Sequence, residues 1–168
     1  LTSATNGKAC VSTILPFLPA SQSVQFLITD DTELLVYLAC LFNSVVFDFI
    51  VKNKLNGIDL TQTIIKQIPI PTMCLAKEKL ANNENIFSQL VSLCHGFLSD
   101  DSRMDNLWHT LPAFAECSIT DRQELQARLD ARLYGLSFPT LRQIISVYPS
   151  LYNSDTIERI EKCFHHFK

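Results

Sequence analysis

Between Leu34 and Val51 the chain is almost continuously apolar, interrupted only by Asn43, Ser44 and Asp48, and this run limits what the remainder can build. A membrane-spanning helix needs roughly 20 clean apolar residues, so a shorter run with three polar breaks predicts a helix buried in a protein core. Asp30-Asp31-Thr32-Glu33 offers cap residues and first-turn acids ahead of it. Asn56-Gly57 offers the stop, because glycine readily takes the left-handed conformation of a helix C-terminus. The reading is one helix from about Asp31 to Lys54. With 168 residues, 47% hydrophobic and 18% charged, the chain can bury a core of its own and does not read as disordered.

On the amino-terminal side, residues 9–18 and 24–29 are β-prone runs separated by Pro16, Pro19 and a Ser-Gln-Ser turn. They read as strands. Leu60 to Lys66 fits a short helix or a strand, and Pro69 and Pro71 force extended backbone after it. From Thr72 the apolar spacing becomes helical: Ala76, Leu80, Ile86, Phe87, Leu90, Val91, Leu93, Cys94 and Phe97 share one side of one or two helices. Residues 99–117 read as a long loop with one helical turn around Trp108. Thr120 to Glu124 opens a helix that ends at Gly135, and two shorter helices follow from Phe138 and Ser154. The predicted class is α+β: residues 1–71 a β-containing portion with the long apolar helix, residues 72–168 a helical portion packed with it as one unit.

The sequence offers little for catalysis. The four glycines are isolated and no proline follows a proline, so neither a glycine-rich cofactor turn nor an Asn/Asp-Pro-Pro-aromatic loop is present. Ser, His and Asp are scattered without the spacing of a nucleophile and its base, and no metal-ligand spacing links the six cysteines to the four histidines. This cysteine pattern fits a reducing, cytoplasmic compartment. The formal net charge is −3, and residues 1–70 carry four lysines against five carboxylates. Any attraction for phosphate must therefore come from local clustering rather than from the summed field.

One such cluster follows the apolar helix. Lys52, Asn53 and Lys54 precede Asn56-Gly57, and Lys66-Gln67 precedes Ile68-Pro69. Cationic and amide donors at a helix end beside a tight loop suit phosphate positioning or groove reading. The same lysines equally suit complementing a helix dipole while their stems cover apolar neighbours. Lys66 and Gln67 also fit the outward face of an edge strand. Asn6 and Lys8 form a further donor pair near the amino end. Asp48, on the apolar helix, reads as an acceptor for a neighbouring loop. Arg122, Arg128 and Arg132 recur along the later helix, where Glu124 and Asp130 point to an exposed, salt-bridged face.

The order of these blocks resembles the carboxy-terminal target-recognition region of type IIG restriction-modification enzymes and related phage-defence adenine-N6 DNA methyltransferases. Asn43, Ser44, Val46, Phe47, Asp48, Lys54, Gly57, Leu60, Lys66, Gln67 and Pro69 match that family's Asn-Ser-x-Val-Phe-Asp and Lys-Gln-x-Pro elements in order. Ala4-Thr5-Asn6-Gly7-Lys8 is similar to its Ala-Thr-Asn-x-Arg. The segment from Arg122 to Leu136 is similar to its Leu-x-Ala-x-Leu-Asp-Ala helix ending Leu-Tyr-Gly-Leu. Lys8, Lys52-Asn53 and Asn56 depart from the family's Arg, Arg-Gln and Gly, which removes the guanidinium fork suited to guanine. The resemblance implies a fragment that binds double-stranded DNA through Asn6, Lys8, Lys52, Asn53, Lys54, Asn56, Gly57, Lys66 and Gln67. It implies no cofactor here, and an upstream methyltransferase domain of the same polypeptide that binds S-adenosylmethionine and acts on adenine. The other expectation is a protein-interaction module that docks the parent's domains without touching DNA.

Overall fold

The computed structural model describes residues 7–16, 19, 24–55, 60–78, 85–98, 101–112 and 122–164. Helix accounts for 63% of the structure and strand for 1%, with no sheet among the described residues, so the expected amino-terminal β portion is corrected to an almost entirely helical fold. The reason lies in where the backbone groups of residues 9–12 go. Asp48 takes the N–H groups of Ala9 and Cys10, and the Asn43 amide pairs with both N–H and C=O of Ser12. Side chains thus do for this extended segment what a partner strand would have done. Residues 24–29 are also outside any strand, and Val24, Phe26, Leu27 and Ile28 are about half or more exposed.

Nine α-helices are described: α1 (Thr32–Phe42), α2 (Val45–Lys54), α3 (Gln62–Lys66), α4 (Met73–Lys77), α5 (Ile86–Leu98), α6 (Asp105–His109), α7 (Arg122–Leu133), α8 (Phe138–Ile145) and α9 (Ser154–Phe164). The single helix expected over residues 31–54 is two. Asn43 closes α1, the Ser44 hydroxyl caps α2 by accepting from Val46 and Phe47, and the axes bend by 64°. Two polar residues that interrupt the apolar run are therefore a joint, since Ser competes for backbone donors best at an N-cap. Among the described residues no single helix is long and apolar enough to cross a membrane. The apolar run lies inside the protein, with Val36, Tyr37, Leu41, Val45, Phe47 and Val51 each at most 1% exposed.

Leu60 to Lys66 resolves as helix, with Thr61 capping α3. A 3-10 turn at Ser102–Met104 and the short α6 stand within the expected long loop, and Trp108 of α6 meets the His95 ring edge-on at 5.0 Å. α7 departs most from expectation. Its charged sequence reads as an exposed face, yet Glu124, Gln126 and Asp130 are buried, because α5, α2, α8 and α9 all pack against it. Glu124 reaches across to pair with Arg159 of α9.

Three apolar clusters result. One joins α1, α5 and α7 around Val36, Leu90, Leu93 and Leu129. A second joins α2, α7, α8 and α9 around Val45, Leu141, Ile145 and Ile160. A third seats residues 9–10 and α3 on α2 through Phe47, Val51 and Ile68. Elements before and after residue 71 share these clusters, α1 with α5 and α2 with α7.

α7 ends where Gly135 takes φ +63°, with the Leu136 N–H donating to Ala131 O at 2.7 Å and Gly135 N–H to Arg132 O at 3.2 Å. A Cβ at Gly135 would meet nothing within 4 Å, so a substitution there is opposed by backbone conformation alone. Gly135→Ala is expected to cost about 1 kcal/mol and to lower the melting temperature by about 2–4 °C. Thermal unfolding followed by circular dichroism checks this, and an unchanged or raised midpoint would contradict the left-handed assignment.

Candidate functional site

The joint between α1 and α2 is the start of the site. Asp48, one turn into α2 and fully buried, accepts the N–H groups of Ala9 and Cys10 on one oxygen, both at 2.7 Å. Its other oxygen accepts the Tyr148 hydroxyl at 2.9 Å, with Lys52 Nζ at 3.9 Å. Asp48 is thus the acceptor for a neighbouring loop that its position on an apolar helix indicated. Burial, followed by the Asp48 charge, pushes the Cys10 thiol up to about 11, so it sits there as a neutral, packed group.

Asp130, fully buried on α7, faces the same joint from the opposite side. It accepts the Val45 N–H at 2.9 Å and the Gln126 amide at 2.5 Å, and the Ser44 hydroxyl bonds to it as well. A carboxylate at the amino end of α2 meets the positive end of that helix's dipole. The Asn43–Asp48 stretch and the Leu129-Asp130-Ala131 stretch are therefore in contact. Both of their acids act structurally, fastening residues 9–12 and α7 to the start of α2. Asp130, expected on an exposed, salt-bridged face, is instead a fully buried acceptor, a lone acid between Leu129 and Ala131.

The candidate DNA-contacting residues fall into three groups. Asn6, Asn56 and Gly57 lie outside the described residues. Lys8 and Lys52 are directed inward. Lys8 donates to Asn43 O, and burial lowers its pKa against the pull of Asp130 and Asp48. Lys52 donates to Gly7 O at 3.0 Å and lies 4.4 Å from the Tyr148 ring centre, its stem covering apolar surface. The third group is exposed, Asn53 and Lys54 at the end of α2 and Lys66 and Gln67 at the end of α3, and α3 packs on α2.

α3 lies against α2 through Ile64 and Ile65, which pack with Val51, Leu55 and Ile68. That contact turns the polar side of α3 outward, so Thr61, Gln62 and Thr63 join Lys54 and Lys66 on the surface. The Asn53 amide donates to Phe49 O at 2.7 Å, which leaves its oxygen and one N–H for a partner. Among the described residues from Asn53 to Gln67 there is no carboxylate, although the sequence places Asp59 within the stretch outside that description. The arrangement can accept and donate hydrogen bonds and supply two cations. It contains no nucleophile and base in contact, and no group of His, Cys, Asp and Glu suited to a metal among the described residues.

Comparison with known proteins adds no relative: no family model matches the chain, and neither a curated protein nor a solved structure does.

Proposed function

We propose that the chain is a DNA-contacting target-recognition piece of a larger adenine-N6 DNA methyltransferase or restriction-modification enzyme, working in a reducing, cytoplasmic compartment. The observation that supports this most is the α2–α3 corner, which exposes Asn53, Lys54, Lys66 and Gln67 over an apolar hinge with no described acid among them. Two lysines and several neutral donors supply phosphate attraction and base-edge or sugar contacts. With a net charge of −3 the affinity is local and modest. The methyl transfer and the S-adenosylmethionine site belong on this reading to an upstream domain, since the four glycines here are isolated and give no turn for a cofactor.

Fluorescence anisotropy of a labelled duplex, titrated at several salt concentrations, tests the proposal. The unmodified chain is expected to bind at low salt, and Lys54→Glu/Lys66→Glu is expected to weaken binding. If each lysine neutralises one phosphate, the slope of log affinity against log salt falls by about 1.8. Both side chains are exposed, so the circular dichroism spectrum should not change. Undetectable binding at the lowest salt, or the same slope after both reversals, defeats the corner as a DNA contact.

A second reading, a module that docks the parent's other domains without touching DNA, is favoured by one specific observation. Val24, Phe26, Leu27 and Ile28 present apolar side chains at 48%, 50%, 49% and 74% exposure along one extended segment. A duplex-binding result of zero with an intact fold would leave this reading in place.

A further inference from the structure

We propose that the cavity enclosed by residues 8–14, α1, α5 and the beginning of α7 is a binding site for a small organic anion carrying an apolar body. The cavity measures about 650 Å³, within the range of roughly 300–1,000 Å³ that small-molecule sites occupy. Its floor is apolar and buried, formed by Ile14, Cys40 and Cys94. Two cations, Lys8 and Arg122, stand on its wall, and among the described residues no acid does.

Arg122 is the group that calls for an anion. Lys8 already faces the compensating charges of Asp130 and Asp48. The Arg122 guanidinium instead lies 5.2 Å from the Phe97 ring centre and against Gly96, where a Cβ would come within 2.9 Å of its Nε. That Nε is buried and has no hydrogen-bond partner. The guanidinium, which lines the cavity, also has no ion-pair partner among the described residues, so an anion placed in the cavity would supply the charge it lacks. Arg122 is also the first residue of the 12-residue helix α7, so the positive end of the helix dipole adds to its charge. Gly96 has a role here that its sequence context does not show: its missing side chain lets the guanidinium lie close over α5.

Polarity then sets the orientation of the ligand. Phe97, at 57% exposure, marks the mouth, and Ile14, at 5%, marks the interior. The anionic head would pair with Arg122 at the mouth, and the apolar body would extend toward Ile14, Cys40 and Cys94. Ser12 and Gln126 on the wall can bond to a polar atom of the body, Ser12 through its hydroxyl, which donates to Ala39 O at 2.9 Å. Carboxylates and phosphate monoesters share the required chemistry.

Isothermal titration of the full chain with two matched pairs of probes separates these sources. Octanoate is compared with octanol, and adenosine 5′-monophosphate with adenosine. The expected result is saturable binding of at least one anion, on the order of 10- to 100-fold tighter than its neutral counterpart. Octanoate alone would identify an aliphatic carboxylate, and the nucleotide alone a phosphate on a planar body. In Arg122→Gln the anion's advantage should vanish while the neutral counterpart binds as before, which also reports that the cavity is intact. The proposal is overturned if neither anion saturates at millimolar concentration, if acid and neutral probe bind equally, or if Arg122→Gln leaves the anion's affinity unchanged.

Discussion

Asp48→Ala is expected to lower the free energy of unfolding by about 3–5 kcal/mol, the range for removing one partner from a buried charged network. The substitution strips acceptors from the N–H groups of Ala9 and Cys10 and from the Tyr148 hydroxyl, and it leaves Lys52 without its nearest acid. Ala9, Cys10 and Tyr148 are each at most 6% exposed, so water cannot readily take over. Urea unfolding gives the value directly. Asp48→Asn should cost less, because the amide oxygen can still accept from Ala9 and Cys10 while its NH₂ donates to the tyrosine oxygen. A cost below about 1 kcal/mol for alanine would mean that the observed hydrogen bonds contribute little to stability. Tyr148→Phe, combined with Asp48→Ala in a double-mutant cycle, isolates the hydroxyl's share, expected at about 0.5–3 kcal/mol for residues in one network.

The position of Asp48 also shows what the sequence can and cannot reveal. A lone carboxylate on an apolar helix must have donors near it, and that inference needs no knowledge of topology. Which donors they are depends on where the chain returns, and here residues 9–12 return beside α1 and α2. The same return explains the failed strand expectation. Val11 to Leu15 and Val24 to Thr29 have β-prone composition, but a strand requires a partner, and the partner groups of residues 9–12 turned out to be the side chains of Asn43 and Asp48. Composition cannot anticipate that substitution.

Helix ends were more legible than helix surroundings. Asp31 and Gly135 act at the boundaries that their residue types indicate, whereas Ser44, read as a break within one helix, is the cap of a new one. The environment of α7 was hidden because its acids and arginines match a solvated face in pattern. Its acids are buried, and Glu124 is paired across to α9, only because four other helices converge on it. For the corner, spacing identified a lysine cluster, but a long flexible stem lets the ammonium choose its direction. Lys52 folds back over Tyr148 while Lys54, two residues on, faces solvent. The cavity at Arg122 draws its walls from segments more than 100 residues apart in the chain, from Lys8 to Arg122, and no local pattern announces it.

Stability should fall as the pH rises from about 4 to about 6, and Asp130 is the expected cause. Burial pushes its carboxyl up to about 6, against the opposing pull of Gln126, Ser44, the Val45 N–H and Lys8. An aspartic acid in the unfolded chain titrates near 3.9. Between those two values the folded protein retains a proton that the unfolded chain has released, so the unfolding free energy decreases with increasing pH. The contribution is complete below the unfolded value and is lost once the pH passes the folded one. A displacement of about two pKa units corresponds to roughly 3 kcal/mol. Other carboxylates act in the opposite sense on acidification; Asp101, held below the usual range by its hydrogen bonds to Arg103, is one. The measurement is therefore the difference between the protein and Asp130→Asn, followed by urea unfolding from pH 4 to pH 7. The unsubstituted protein should lose stability relative to the variant across that interval, and parallel curves would show that Asp130 titrates normally. Because Asp130 joins α7 to the first residue of α2, the same titration acts on the joint that supports the α2–α3 corner.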